Sequence, residues 1–134
     1  MIMNEWVYKG TLFKSPGEYY GFVYIITNLL SGRQYIGKKF FWSVKRKQVN
    51  KVRKRYKVES DWKEYWSSSD ELKKDVCTFG KENFKREIIH LCKNKGTCNY
   101  LEAKEQFTRS VLEDKKLWYN SWISVKISHT HIKW

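Results

Sequence analysis

The apolar residues of the chain fall into a few short runs, and their spacing predicts the strands. Residues 19–27, YYGFVYIIT, are aromatic and β-branched, which is typical of a buried strand. The Ser-Gly turn in NLLSGR separates this run from QYIGKKF at residues 34–40, so the two strands should form a hairpin. The run NFKREIIHLC at residues 83–92 predicts a third strand.

A first helix is expected between the hairpin and the third strand. Ser69 or Asp70 can cap it, because their side chains accept hydrogen bonds from the free N–H groups of a first turn. The helix should continue to about Phe79 and end at Gly80, a residue that favours helix termination.

A second helix is expected after the third strand. Thr97 or Asn99 can cap it, and it should run to about Leu112. Its buried side is predicted from residues at helical spacing. These are Tyr100, Ala103, Phe107 and Val111.

These elements predict an α+β fold, with a small antiparallel β-sheet of about three strands flanked by helices. A last segment, WYNSWISVKIS, alternates like a strand and should fold over the sheet. The chain has no internal repeat and no low-complexity linker, so we expect residues 1–134 to form a single domain.

Charge adds a partner to this picture. The 27 Lys and Arg residues exceed the 14 Asp and Glu residues, which gives a formal net charge of +13. The positive electrostatic field of so large a net charge indicates a polyanionic binding partner. We find neither an apolar span nor a cleanly amphipathic basic helix, so we expect nucleic acid and not a membrane. An aromatic content of 17% excludes a disordered tail.

The positive charge is concentrated in one block, which we call the basic arm, residues 38–57. It holds ten Lys or Arg residues and no acid. Like charges repel, so we expect an exposed loop or irregular arm that contacts phosphates in a salt-dependent way. The predicted DNA-binding residues are Lys38, Lys39, Lys45, Lys47, Lys51, Arg53, Lys54, Arg55 and Lys57.

The cysteines indicate a reducing compartment. There are three, an odd number with no framework spacing, so we expect a cytoplasmic protein. His90, Cys92 and Cys98 lack the second close pair of ligands that structural zinc usually needs.

Four side chains are candidates for chemistry at this scaffold. Tyr24 and Tyr35 lie in paired strands, and nearby positive charge would stabilise a phenolate able to act as a general base. Glu105, two residues before Phe107, is a candidate Mg²⁺ ligand, and Arg46 could stabilise charge on a cleaved phosphate. Taken singly, each also fits a structural role, since strand tyrosines pack in cores and helix glutamates are often solvated.

Taken together, these motifs resemble the GIY-YIG nuclease family. FVY at residues 22–24 is followed by YIG at residues 35–37, and Tyr35 lies eleven residues after Tyr24. WSSSDELKKDVCTFGKENFKREIIHLC, LEAKEQF and WYN then match later motifs in order. The resemblance covers about residues 20–122 and is closest to phage-type, homing-endonuclease-like members. Phe22 stands where the family has a glycine.

The resemblance implies roles for the hairpin residues. Tyr24 matches the tyrosine proposed to activate the attacking water, and Tyr35 matches the one that positions water or phosphate. Gly37 would allow a close approach of the backbone. Lys38 could assist a tyrosine or contact phosphate.

It also implies roles further along the chain. Arg46 fits the arginine that binds the scissile phosphate, although the spacing is one residue off and Lys45 could take its place. Glu105 matches the metal-binding glutamate, with Glu102 as the alternative. Asn120 matches an asparagine that supports the site.

The implied function is an endonuclease that hydrolyses DNA phosphodiester bonds with tyrosine-activated water and one divalent metal, Mg²⁺ or Mn²⁺. Its partner would be double-stranded DNA, in the host cytoplasm if the chain is phage-encoded, and its oligomeric state is open. The alternatives are a non-catalytic nucleic-acid-binding protein on the same fold and a basic structural protein of a ribonucleoprotein or virion.

Overall fold

The computed structural model describes residues 5–134, and residues 1–4 of the predicted domain lie outside the described residues. In the described part, neither α-helix has the length and apolar content that a membrane crossing requires. The strands are β1 (Trp6–Tyr8), β2 (Thr11–Leu12), β3 (Gly21–Asn28), β4 (Gln34–Phe40), β5 (Trp42–Val49), β6 (Val52–Glu59) and β7 (Phe84–Cys92). The helices are α1 (Asp70–Phe79) and α2 (Lys95–Thr108), with 3₁₀ turns at Trp62–Glu64, Lys81–Asn83 and His129–His131.

Five strands form one mixed sheet in the order β2-β1-β7-β3-β4. The α+β class and the β3–β4 hairpin are confirmed, and Tyr24 lies opposite Gly37 in that hairpin. The prediction of about three antiparallel strands is wrong. β1 runs parallel to β7, and β1 and β2 are three and two residues long, too short for their periodicity to show in the sequence.

Both faces of the sheet are covered, which explains the unbroken apolar run of β3. Phe22, Tyr24 and Ile26 point to the side of α1, where they join one core cluster. Val23 and Ile25 point to the side of α2 and join a second cluster. Each such side chain contributes about 1.5–3 kcal/mol when fully buried, so this strand anchors the domain.

Helix α1 matches its prediction. The Ser69 hydroxyl accepts a hydrogen bond from the N–H of Leu72 (3.2 Å), and the helix ends at Phe79. Gly80 follows with φ of 92°, a backbone conformation that favours glycine. Leu72 is buried against the sheet, so the cap fixes the helix where its apolar side is needed.

Helix α2 begins earlier than predicted. Asn94 caps it, and its side-chain oxygen accepts a hydrogen bond from the N–H of Thr97 (2.9 Å). The prediction of Thr97 or Asn99 as the cap is therefore wrong. Gly96 makes a helix start before it hard to predict, since Gly costs about 1 kcal/mol in a helix. The Asn94 cap stabilises the helix by about as much, so it offsets this cost.

The predicted buried side of α2 is confirmed in part, since Ala103 and Val111 are buried and Tyr100 is partly buried. Phe107, expected in the core, is 58% exposed. Cys98, Leu101 and Gln106 are buried as well, and the helix ends at Thr108, earlier than the predicted end near Leu112. The apolar character of Phe107 alone suggests a core position, so the sequence wrongly places Glu105, two residues earlier, beside a buried surface.

The basic arm begins in β4 and continues as a regular β-hairpin, so the prediction of a loop or irregular arm is wrong. β5 and β6 pair antiparallel over eight residue pairs. Asn50 and Lys51 form the two-residue turn, with φ of 49° and 64°, the geometry that suits a tight hairpin. Interstrand hydrogen bonds, together with solvent screening, outweigh the repulsion between the like charges.

The last segment does not form the predicted strand. Residues after Thr108 pair with the sheet only through a bridge between Gln34 and Trp118. The Gln34 N–H donates to the Leu117 carbonyl, and the Tyr119 N–H donates to the Gln34 carbonyl, both at 2.8 Å. This short pairing covers part of the outer edge of β4.

Candidate active site

A cleft of about 870 Å³ opens at the outer edge of β4. The two strands of the first hairpin supply Tyr24, Tyr35 and Lys38, α2 supplies Glu102, and the last segment supplies Asn120. The root of the β5–β6 hairpin forms another wall. Because β4 is the last strand of its sheet, residues from both of its faces reach the same space.

The two tyrosines lie side by side in the cleft. Tyr24 is fully buried, and its ring centroid lies 6.2 Å from that of Tyr35 at an angle of 32°. The Tyr35 hydroxyl is 2.9 Å from the hydroxyl of Ser68. Opposite Tyr24, a Cβ added at Gly37 would lie 2.5 Å from the Tyr24 oxygen and 2.8 Å from Cε1 of Tyr35. Glycine therefore makes room for both rings.

The surroundings of Tyr24 keep its hydroxyl protonated. Burial raises its pKa well above the usual value, and charge on Tyr35 and Glu102 and a hydrogen bond with Tyr65 raise it further. Burial also raises the pKa of Tyr35, against the opposing effect of its hydrogen bond to Ser68. The expectation that basic residues stabilise a phenolate here is wrong, since desolvation is the larger effect.

The nearest lysines are held by carboxylates. Lys38 Nζ lies 3.0 Å from Oε1 of Glu102, and both side chains are largely shielded from solvent. Lys39 Nζ lies 2.7 Å from Asp61 and 4.2 Å from the centre of the Tyr65 ring. The Lys39 pair is open to solvent at Asp61, so it contributes little to stability. Both lysines therefore line the cleft wall as ion-paired cations.

Glu102 is the glutamate of α2 that reaches the cleft. It precedes Gln106 by four residues, so the two lie on one side of the helix, facing β4. Gln106 Nε2 donates to the Ile36 carbonyl (2.9 Å), which fixes that side of α2 against the strand. Glu102, which the sequence analysis names as the alternative to Glu105, is thus the glutamate that the fold brings to the tyrosines.

Glu105 does not lie in the cleft. Its carboxylate is 3.5 Å from His90 Nε2 and 3.5 Å from Arg109 Nε. The placement of Glu105 beside the tyrosines depended on a core position for Phe107, which is exposed. Glu105 directly precedes Gln106, and one residue of a helix turns the side chain by about 100°, so Glu105 points away from the Ile36 contact and towards His90 and Arg109.

Asn120 supports the cleft through the backbone of β4. Its Oδ1 accepts a hydrogen bond from the Ile36 N–H (3.1 Å), and its Nδ2 donates to the Ile36 carbonyl (2.8 Å). The side chain is 2% exposed. It thus continues the pairing begun at Gln34 and takes the place of a neighbouring strand at the residue before Gly37.

The fold does not bring Arg46 into the cleft. It lies exposed in β5, opposite Arg55 of β6. Lys45, named as its possible replacement, lines the cleft. Among the predicted DNA-binding residues, Lys38, Lys39 and Lys45 line the cleft. The others are exposed on the hairpin, namely Lys47, Lys51, Arg53, Lys54, Arg55 and Lys57.

Sequence reasoning assigned no role in the site to Tyr65 or Ser68. Tyr65 packs edge-on against Tyr24, with ring centroids 6.2 Å apart at 81°. Both follow the 3₁₀ turn Trp62–Glu64. The surrounding sequence, WKEYWSSSD, has neither helical nor strand periodicity, so it does not predict this turn. Their place in the cleft depends on a loop conformation that no sequence repeat encodes.

Comparison with known proteins adds a family to this geometry. Neither the curated proteins nor the solved structures contain a significant match to the chain. The family model SegE GIY-YIG, described as the GIY-YIG domain of the proposed endonuclease SegE, matches residues 6–123. That match spans the whole sheet, both helices and Asn120. The chain belongs to the SegE GIY-YIG endonuclease-domain family.

Proposed function

We propose that the protein is a divalent-metal-dependent endonuclease that hydrolyses phosphodiester bonds of double-stranded DNA in the β4 cleft. The observation that carries this proposal is the convergence of two tyrosine hydroxyls and the Glu102 carboxylate in one cleft that lysines also line. Membership of an endonuclease-domain family supports it. A protein that only bound DNA would need the lysines and arginines but not a tyrosine pair and a carboxylate.

Among the described residues no three His, Cys, Asp or Glu side chains are grouped to hold a metal, so the protein would offer a divalent cation a single carboxylate. Mg²⁺ binds oxygen ligands and is often held by one or two carboxylates, with water and substrate phosphate completing its shell. Glu102 would hold such an ion, and Mn²⁺ takes the same oxygen donors. Once bound, the ion would polarise a phosphate oxygen and stabilise negative charge on it.

The cleft residues have distinct tasks around a bound phosphodiester. Tyr24 is protonated at neutral pH, so its hydroxyl can hold a water by hydrogen bonding; it can act as a general base only after losing its own proton to solvent, which a bound cation would favour by stabilising the phenolate. Tyr35, whose hydroxyl is held by the Ser68 hydroxyl, would position the same water or the phosphate beside it. Lys38 and Lys45 at the wall supply positive charge to the phosphate.

The experiment compares two glutamates on one helix. Glu102→Gln and Glu105→Gln each remove one negative charge from α2, but only Glu102 lies in the cleft. Supercoiled plasmid is incubated at low salt with Mg²⁺, with Mn²⁺ and with EDTA. We expect metal-dependent nicking by the parent and by Glu105→Gln, and a loss of about 100-fold or more in Glu102→Gln.

The outcomes separate the alternatives. Loss in Glu105→Gln with retention in Glu102→Gln would contradict the assignment to Glu102. An inactive parent that still binds DNA tightly would contradict the enzyme itself and leave a non-catalytic nucleic-acid-binding protein. Anisotropy measurements on labelled duplex distinguish loss of chemistry from loss of binding in each variant.

A further inference from the structure

The β5–β6 hairpin carries positive charge on both of its faces. Residues directly opposite in an antiparallel pair point to the same side, and successive pairs alternate. One side, the arginine face, holds Arg46, Arg53, Arg55 and Lys57. The other side, the lysine face, holds Lys45, Lys47 and Lys54.

Neither face is covered by the rest of the described chain beyond the root of the hairpin. Residues 44–48 and 52–57 are all exposed. Even the apolar members are open to solvent, with Val44 54% and Val52 57% exposed. A two-stranded ribbon is marginally stable when no core supports it. Its exposure on both sides indicates that a partner contacts both sides.

The cross-strand pairs show what kind of partner this is. Arg46 lies opposite Arg55 on the arginine face, and Lys47 lies opposite Lys54 on the lysine face. Like charges directly opposite each other destabilise a hairpin. Each face therefore needs its own row of anions, whereas a flat anionic surface would neutralise only one of them.

The two walls of a duplex groove provide two such rows. The ribbon with its side chains is roughly 10 Å thick, judged from the spacing of packed sheets. The major groove of B-form DNA is about 12 Å wide and the minor groove about 6 Å. The ribbon fits the first and not the second. The major groove of duplex RNA is narrow and closed to such an element.

We propose that the β5–β6 hairpin enters the major groove of double-stranded DNA edge-on, with the arginine face and the lysine face each turned to one phosphate wall. This rests on the proposed function, from which it takes DNA as the substrate. The root of the ribbon, at Ser43 and Lys45, lines the cleft. The inserted hairpin thus fixes the distance along the duplex between the groove it occupies and the phosphodiester in the cleft.

The test uses matched pairs of neutralising substitutions. Arg46→Gln with Arg55→Gln removes two charges from the arginine face, and Lys47→Gln with Lys54→Gln removes two from the lysine face. Lys93→Gln with Lys95→Gln removes two exposed charges near the start of α2, outside the hairpin. Binding to a labelled 24-base-pair DNA is measured by anisotropy across a salt series in EDTA, so that the result does not depend on cleavage.

We expect both face variants to lose affinity about tenfold or more, and each to flatten the slope of log K against log salt by about 1–2. The control variant should match the parent. Removing the like-charge pairs relieves repulsion, so the hairpin should remain folded, and circular dichroism checks this. If only one face variant loses affinity, the ribbon lies flat on the duplex and the proposal is wrong.

Protection of the DNA from methylation by dimethyl sulfate shows which groove the protein occupies. The parent should protect guanine N7, which lies in the major groove, and leave adenine N3, in the minor groove, reactive. Duplex RNA of the same sequence should bind more weakly, with no dependence on both faces. Protection of adenine N3 alone, or equal two-face dependence on RNA, would overturn the major-groove proposal. Either outcome leaves the nuclease assignment to the plasmid assay.

Discussion

Truncating Asn120 should destabilise the fold by breaking the edge of β4, not by removing a catalytic group. The Asn120→Ala substitution removes both hydrogen bonds to Ile36 at once. The two backbone groups then differ in what they keep. The Ile36 carbonyl still accepts a hydrogen bond from Gln106, whereas its N–H loses the partner shown here.

The size of the effect follows from that difference. A buried N–H left without a partner costs about 1–3 kcal/mol, and the loss of a hydrogen bond to a carbonyl that keeps another costs less, about 0.5–1.5 kcal/mol. We therefore expect Asn120→Ala to lower the free energy of unfolding by about 2–3 kcal/mol. That is a large part of the 5–15 kcal/mol typical of a domain.

A matched variant isolates the orphaned N–H. Gln106→Met keeps a similar volume and removes one donor to the Ile36 carbonyl, which retains Asn120 Nδ2. It should cost about 1 kcal/mol. Urea unfolding followed by tryptophan fluorescence gives both values. An unchanged unfolding free energy in Asn120→Ala, together with lost nicking, would refute the structural reasoning and favour a direct role in chemistry.

Two further predictions concern the tyrosines. Gly37→Ala should reduce nicking strongly while costing about 1–3 kcal/mol of stability, since the added methyl meets Tyr24 and Tyr35; nicking at the parental rate would contradict this. The raised pKa of Tyr24 stabilises the fold below about pH 10, where the unfolded phenol begins to ionise, and this contribution is lost at higher pH. Urea midpoints at pH 8 and 10.5 should therefore fall less in Tyr24→Phe than in the parent, and a larger fall in the variant would count against the buried phenol.

The central hairpin was predictable because its signals are local. The apolar run of β3, the Ser-Gly turn and the spacing of Tyr24 and Tyr35 all lie within twenty residues. The cap of α1 at Ser69 is local for the same reason. Where one turn or one cap decides the structure, sequence alone gives the element and its bounds.

The glutamates show where sequence reasoning fails. Choosing between Glu102 and Glu105 requires knowing which side of α2 meets the sheet, and that depends on how Gln106 packs against Ile36. A polar residue in the core and an exposed Phe107 reverse the usual hydrophobic pattern. The family motif places a glutamate on this helix, but only packing determines which one faces the tyrosines.

The prediction of an irregular basic arm is wrong for a different reason. A run of like charges predicts repulsion when all of its side chains are treated as neighbours. In the hairpin, alternate residues point to opposite sides, so repulsion is divided between two faces. Asn50 is a common turn residue, but Lys51 is unusual at a positive φ, so the sequence signal for this turn is weak.

The parallel pairing of β1 with β7 constrains how the chain can fold. Trp6 lies opposite Arg86, eighty residues later, and it packs against Phe22 in the core. On a ribosome, β1 would therefore wait for most of the chain to be synthesised before its partner appeared. Closing so long a loop is entropically costly, so this strand is expected to dock late. Until then one edge of β7 remains open to pairing with other chains, which makes nascent or shortened forms prone to association.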